Sequence, residues 1–263
     1  MAKLHDMFTQ ARRAQSSGGI GFVGKNKPLI KPRAAALVVE LPNIDAGDAE
    51  SAIKSGADGL LFTWNGNDAS ALESLKDAID AAQTSGEKVV TGLNITGGWE
   101  SLERENFEHV KELGVNYILL PLEAPARLLS LQIKDIELVV SVPMHSGDMY
   151  PIFIRNLTAF DNIAAVRLDF SLSEDISAMS IEDVLHYRAV REAVRFPALL
   201  NVQGDLNEAD AYTLLALGVQ AMILTASGND ATTQKQIKAL RELLEKVHQE
   251  EKDSMHAHSS GLR

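Results

Sequence analysis

The segment PALLNVQGDLNEADAYTLLALGVQAMILTASGND, Pro197–Asp230, decides the fold. It reads as an apolar strand, a short turn around Gly204, an amphipathic helix, a second apolar strand, and a Ser-Gly-Asn turn into a long last helix. Two parallel strands cannot be joined by a tight hairpin, so a helical crossover of this length between them marks a βαβ unit. The helix ends at Leu217-Gly218, where Gly tolerates the left-handed backbone that stops a helix. The next strand follows within a few residues.

The same beat runs upstream. Strand-like runs occur at Ala35–Leu41, Gly59–Trp64, Lys88–Ile95, Tyr117–Leu122, Glu137–Pro143, Ala164–Phe170, Ala198–Gln203 and Ala221–Thr225. Helical stretches separate and follow them at Asp48–Ser55, Ala69–Thr84, Ser101–Leu113, Ala124–Leu131, Met149–Phe160, Ile181–Arg195, Asn207–Leu217 and Thr232–His248. Gly56, Gly86 and Gly114 punctuate helix ends as Gly218 does. The last helix places Ile237, Leu240, Leu243, Leu244 and Val247 on one face and charged residues on the other. Strict alternation argues for a parallel sheet covered on both faces. Eight units argue for closure into an α/β barrel of the (β/α)8, or TIM, type rather than an open sheet.

The chain has 263 residues, 45% of them hydrophobic, which suits one barrel. Three parts are expected: an N-terminal helix with a Gly-rich basic arm over 1–33, the barrel over 34–248, and a disordered polar tail over 249–263. The arm's Gly18, Gly19, Gly21 and Gly24 do not form a dinucleotide fingerprint, because no strand precedes them and no helix follows. With no Cys, disulfides, thiolate metal sites and a Cys nucleophile are excluded. No signal peptide and no apolar run of bilayer length is read, so a cytoplasmic protein without membrane contact is expected.

A net charge of −11 argues against nucleic-acid partners. That charge is uneven. Residues 1–33 carry Lys3, Arg12, Arg13, Lys25, Lys27, Lys31 and Arg33 against Asp6 alone, a local balance of +6. Such an arm is either a solvated basic segment or a flap that folds over an anionic ligand or a neighbouring subunit in a homo-oligomer.

Three stretches carry a family resemblance: SGADGLLF (Ser55–Phe62), LGVNYILLP (Leu113–Pro121) and LGVQAMILTASGND (Leu217–Asp230). They resemble the helix-Gly-strand joins of aldolase-type (β/α)8 barrels. The last is similar to strand 8 and its turn in the phosphate-binding group, which includes ribulose-phosphate and flavin mononucleotide (FMN) enzymes. The resemblance spans Ala35 to Val247. It implies a lyase or isomerase acting on a small anionic metabolite, phosphorylated or carboxylated, by proton transfer or C–C bond chemistry. An FMN oxidoreductase and a non-catalytic barrel subunit or scaffold are the alternatives. Two features depart from the group: loops 7 and 8 offer single glycines, Gly204 and Gly228, where paired ones are common, and no Lys stands at a strand end.

Barrel enzymes place their sites at the C-terminal ends of the strands. Side chains alternate along a strand, so polar residues in those C-terminal halves should face the mouth. The rule selects Glu40, Asn94, Ser141, His145, Arg167, Asp169, Asn201 and Gln203, with Glu123 and Thr225 closing strands 4 and 8. Glu40, His145, Arg167 and Asp169 are the candidates for catalysis. An Arg halfway along a barrel strand needs a partner, and Glu40 and Asp169 are the expected ones. Arg167 would hold a carboxylate or enolate, with Asp169 as base or acceptor.

Asn94, Glu123, Asn201, Gln203 and Thr225 are candidate binding residues, the amides also suiting a flavin edge. Gly204, Ser227, Gly228 and Asn229 are candidates for a phosphate, with Asp230 expected to cap the last helix. A Ser141–His145 catalytic pair fails, since four residues along a strand span about 13 Å. His145 with Asp148 lacks a third ligand, so no metal site is expected.

Overall fold

The computed structural model describes residues 3–12, 32–86, 89–145, 147, 149–170, 176–203, 205–227 and 230–260. Eight strands pair in chain order, all parallel, and the last closes on the first. They are β1 (Ala36–Leu41), β2 (Gly59–Asn65), β3 (Val90–Gly97), β4 (Tyr117–Pro121), β5 (Glu137–Pro143), β6 (Ile163–Asp169), β7 (Ala198–Val202) and β8 (Ala221–Thr225). The fold is the (β/α)8 barrel that the alternation predicts.

The helices are α1 (Leu4–Arg12), α2 (Ala46–Ser55), α3 (Ala69–Ser85), α4 (Arg104–Glu112), α5 (Tyr150–Ile154), α6 (Ile181–Val194), α7 (Glu208–Ala216) and α8 (Asp230–Ser260). Gly56, Gly114 and Gly218 take positive φ as the stop signals require. Gly86 does not: it is extended, and a Cβ there would lie 2.7 Å from Ile53. Close packing, not handedness, explains that glycine.

Three helical segments differ from the spacing. Ala126–Ser130 is a 3₁₀ helix, not an α-helix, and Pro125 stands at its N-cap. The predicted helix over 149–160 is one α-turn, α5, continued by a 3₁₀ stretch, Arg155–Ala159. α8 begins at Asp230 and runs to Ser260, past the His248 at which the amphipathic pattern ends. Residues 249–260 contain neither Gly nor Pro, and Gln249 Nε2 donates to Asp253 Oδ1 one turn on at 2.9 Å.

Strand register sorts the barrel interior into layers. Moving up two residues on every second strand puts Glu40, Asn94, Ser141 and Asn201 in one layer from the odd strands. Beneath them come Leu61, Leu119, Arg167 and Ile223, then Val38, Gly92, Val139 and Leu199. The next layer down is Gly59, Tyr117, Ala165 and Ala221. One large ring among three small residues fills that level. Tyr117 also passes so close over Gly92 that a Cβ there would lie 2.1 Å from its ring. Gly inside a strand often marks a close approach of this kind.

α1 is the stopper at the other end. Leu4, Met7, Phe8 and Ala11 are buried against the barrel-interior cluster of Ala36, Val38, Tyr117 and Ala165. Glu137, at the start of β5, accepts the Leu4 N–H at 2.8 Å, and Ala11 O accepts the Arg33 N–H at 2.6 Å. The first helix is therefore part of the barrel's core. Arg33 belongs with it: the side chain is buried and ion-paired to Asp58. Burial pushes the Asp58 carboxyl up, and the Arg33 guanidinium pulls it back. Arg13 and the lysines at 25, 27 and 31 lie outside the described residues.

Candidate functional site at the barrel mouth

Glu40 is the hub of the mouth. Its Oε1 accepts Asn94 Nδ2 at 3.0 Å and lies 3.7 Å from Arg167 Nη1. Its Oε2 accepts Thr225 Oγ1 at 3.0 Å and Asn201 Nδ2 at 3.4 Å. Because a carboxylate only accepts, both amides must turn their N–H groups to it. Arg167 Nε also donates to Ser141 Oγ at 3.3 Å. Residues from β1, β3, β5, β6, β7 and β8 are thus tied into one network, in a layer that would otherwise be apolar. Local sequence explains each placement: in ALVVEL, NITG and AAVRLD the polar residue falls on the inward phase of a β-branched or apolar run.

Arg167 pairs with Glu40, the first of its two expected partners. Among the described residues no ion pair joins it to Asp169. Asp169 stands at the exposed end of β6, one level above, where Pro143 is its partner in register. Inside the barrel, two of the described buried polar atoms have no hydrogen-bond partner: Tyr117 Oη and Asn201 Oδ1. Burial, then the Glu40 charge, pushes the Tyr117 phenol up, and Arg167 opposes them.

His145 does not join this network. It is exposed on the loop after β5 and packs edge-on against Tyr150, ring centroids 4.9 Å apart. Tyr150 Oη donates to Pro143 O at 2.6 Å, and burial, then the nearby Glu123 charge, pushes that phenol up. His145, Tyr150 and Glu123 form a separate cluster on the rim. Gln203 is exposed beyond β7.

For the anion cradle, Ser227 is described and Gly204, Gly228 and Asn229 lie outside the described residues. The Ser227 N–H donates to Thr233 Oγ1 at 3.2 Å, and the two hydroxyls lie 3.3 Å apart. That backbone donor is taken by the chain itself. Asp230 is the first residue of α8 rather than its cap.

Tyr117 and Gly92 were not selected by the polar-residue rule. The signal for them is Gly92 inside an apolar strand, which asks what lies against it. Thr63, half-buried on β2 beside Asn94, fits the same rule and was not selected. No group of three or more His, Asp or Glu side chains able to hold a metal ion occurs among the described residues. Nor is any described helix long and apolar enough to cross a membrane.

No protein-family model and no curated protein matches the chain. Solved structures do match its fold. The HpcH/HpaI aldolase from Desulfitobacterium hafniense is 13% identical with a TM-score of 0.51, covering 80% of this chain and 94% of that one. A tryptophan synthase chain from M. tuberculosis is 13% identical with a TM-score of 0.55, covering 82% and 92%. Phosphoribosyl anthranilate isomerase, solved with reduced 1-(O-carboxyphenylamino)-1-deoxyribulose 5-phosphate, is 17% identical with a TM-score of 0.54, covering 77% and 97%. The class this defines is the (β/α)8 barrel. At such identities the likeness is one of fold.

Proposed function

We propose that the protein is a barrel enzyme of the lyase or isomerase kind, acting on a small carboxylated or phosphorylated metabolite in the mouth above Glu40. The observation that carries this is Arg167, a largely buried cation held at the C-terminal end of the barrel by Glu40 and Ser141. An oriented guanidinium is suited to a carboxylate or an enolate oxygen. Glu40 serves to hold it: its roughly four acceptor positions face Asn94, Arg167, Thr225 and Asn201, leaving no vacant lone pair for a substrate proton.

Asp169 is the better proton acceptor. It stands on the same face of β6 as Arg167, nearer solvent and outside the Glu40 network. A proton removed next to a carbonyl would go to Asp169 while Arg167 takes the charge that develops on oxygen. His145, with Glu123 beside it, is placed to meet the far end of a substrate from the rim. Asn201 and Thr225 line the near side, with Gln203 above them. A phosphate would rest on the Ser227 hydroxyl and the backbone of Gly204, Gly228 and Asn229. The phosphate ester bound in phosphoribosyl anthranilate isomerase supports that part by analogy of fold.

Calorimetric titration with a panel of 2-oxo acids, hydroxy acids and sugar phosphates tests the reading. At least one class should bind, and Arg167→Ala should abolish that binding. If the variant binds as the parent does and only melts earlier, Arg167 is a brace for the barrel and the proposal fails.

A further inference from the structure

A surface on the outer helices, flanking the rim of the mouth, asks for a different partner. Along α6, Ile181, Leu185 and Ala189 recur every four residues and all three are exposed. Ile181 is 81% exposed and Leu185 62%. Residues at that spacing form one ridge of a helix, the kind that packs into a groove of another helix. α5 lies against α6 and continues the apolar surface with Met149, Ile152 and Phe153, the last stacked on Tyr150. The hydrophobic pattern of α6 is accordingly two-sided: Val190 and Val194 serve the core, and the ridge is left uncovered by the described residues.

We infer that the α5–α6 face is the docking surface for a second copy of this chain, with the two α6 helices packed antiparallel about a twofold axis. Area and charge both fit. With Phe153 at roughly 200 Å² and four aliphatic side chains beside it, the five large exposed residues present several hundred square ångströms, the apolar centre of an interface that typically buries about 800 Å² per partner. Monomers seldom leave a contiguous patch of that size in water. A twofold interface must also be complementary to itself. Glu182 stands at the start of α6, and Arg195 stands just past its end. Antiparallel packing sets the acidic end of each helix against the basic end of its partner, and opposes the helix dipoles as well. Ala189 falls midway between Glu182 and Arg195, where the axis must pass. Its small side chain lets the two backbones approach.

Sedimentation of the full chain at micromolar concentration should show a dimer. Leu185→Asp should raise its dissociation constant by about thirtyfold or more with an unchanged melting temperature. Arg195→Glu should weaken association, and adding Glu182→Arg to it should restore it. Because the chain has no cysteine, Ala189→Cys introduces a single thiol, which under mild oxidation should give a covalent dimer, whereas Glu105→Cys on the exposed face of α4 should not. A chain that stays monomeric, one that captures only a different protein, or a dimer indifferent to Leu185→Asp and uncoupled at Ala189 overturns the inference.

Discussion

Arg167 on β6 and Glu40 on β1 meet across the barrel mouth, Nη1 3.7 Å from Oε1, although their strands are not neighbours. Both side chains are largely buried, so neither charge can turn to water if the other is removed. Glu40→Ala should therefore lower the unfolding free energy by about 3 kcal/mol, the cost of stranding a buried charge. Arg167→Met should cost less, because Asn94, Asn201 and Thr225 still satisfy the carboxylate. A double-mutant cycle by urea denaturation should give a coupling of about 1–3 kcal/mol. A coupling of zero would mean that the amides, not the guanidinium, hold Glu40.

Asp169 lies outside this network and near solvent, so its replacement should separate chemistry from stability. Asp169→Asn should leave the melting temperature unchanged. Exchange of the substrate's C–H proton with D2O, followed by NMR on whichever metabolite binds, should slow by about a hundredfold or more, as expected for loss of a general base. Equal exchange rates in the two proteins would remove Asp169 from the chemistry.

Tyr117 offers a pH test. Burial raises its phenol above the ordinary value, while the unfolded chain ionises near pH 10. The tyrosine thus contributes stability that is whole below about pH 10 and lost as pH rises from there toward the folded value. Tyr117→Phe should flatten that alkaline limb. Near neutral pH the same change removes a buried hydroxyl without a partner and should stabilise the fold by about 1 kcal/mol. A clear destabilisation at pH 7 would show that the hydroxyl has a partner in solution. Gly92→Ala, which drives a methyl into the same ring, should cost about 2 kcal/mol or more.

α1 should behave as core, not as a lid. Phe8→Ala should cost about 3 kcal/mol, as for other buried aromatics, and leave metabolite affinity intact. Removing residues 1–12 should cost more, again without weakening binding to the folded protein. Loss of affinity at unchanged stability would instead assign the segment a role at the mouth.

The eight-beat alternation of Ala35–Thr225 was enough to determine the barrel, because strands covered on both faces and helices stopped by Gly56, Gly114 and Gly218 leave distinct local patterns. Inward polarity was equally legible: alternation alone selects Glu40, Asn94, Arg167 and Asn201. Which of them touch was not. Partnership depends on barrel shear and strand register, which are set by every strand at once, so only the closed structure could assign Arg167 to Glu40 and leave Asp169 apart. The N-terminal helix shows the same division. Its apolar spacing at Leu4, Met7, Phe8 and Ala11 was plain, but the surface it buries belongs to eight other segments, and only their convergence turns a short amphipathic helix into the floor of the barrel.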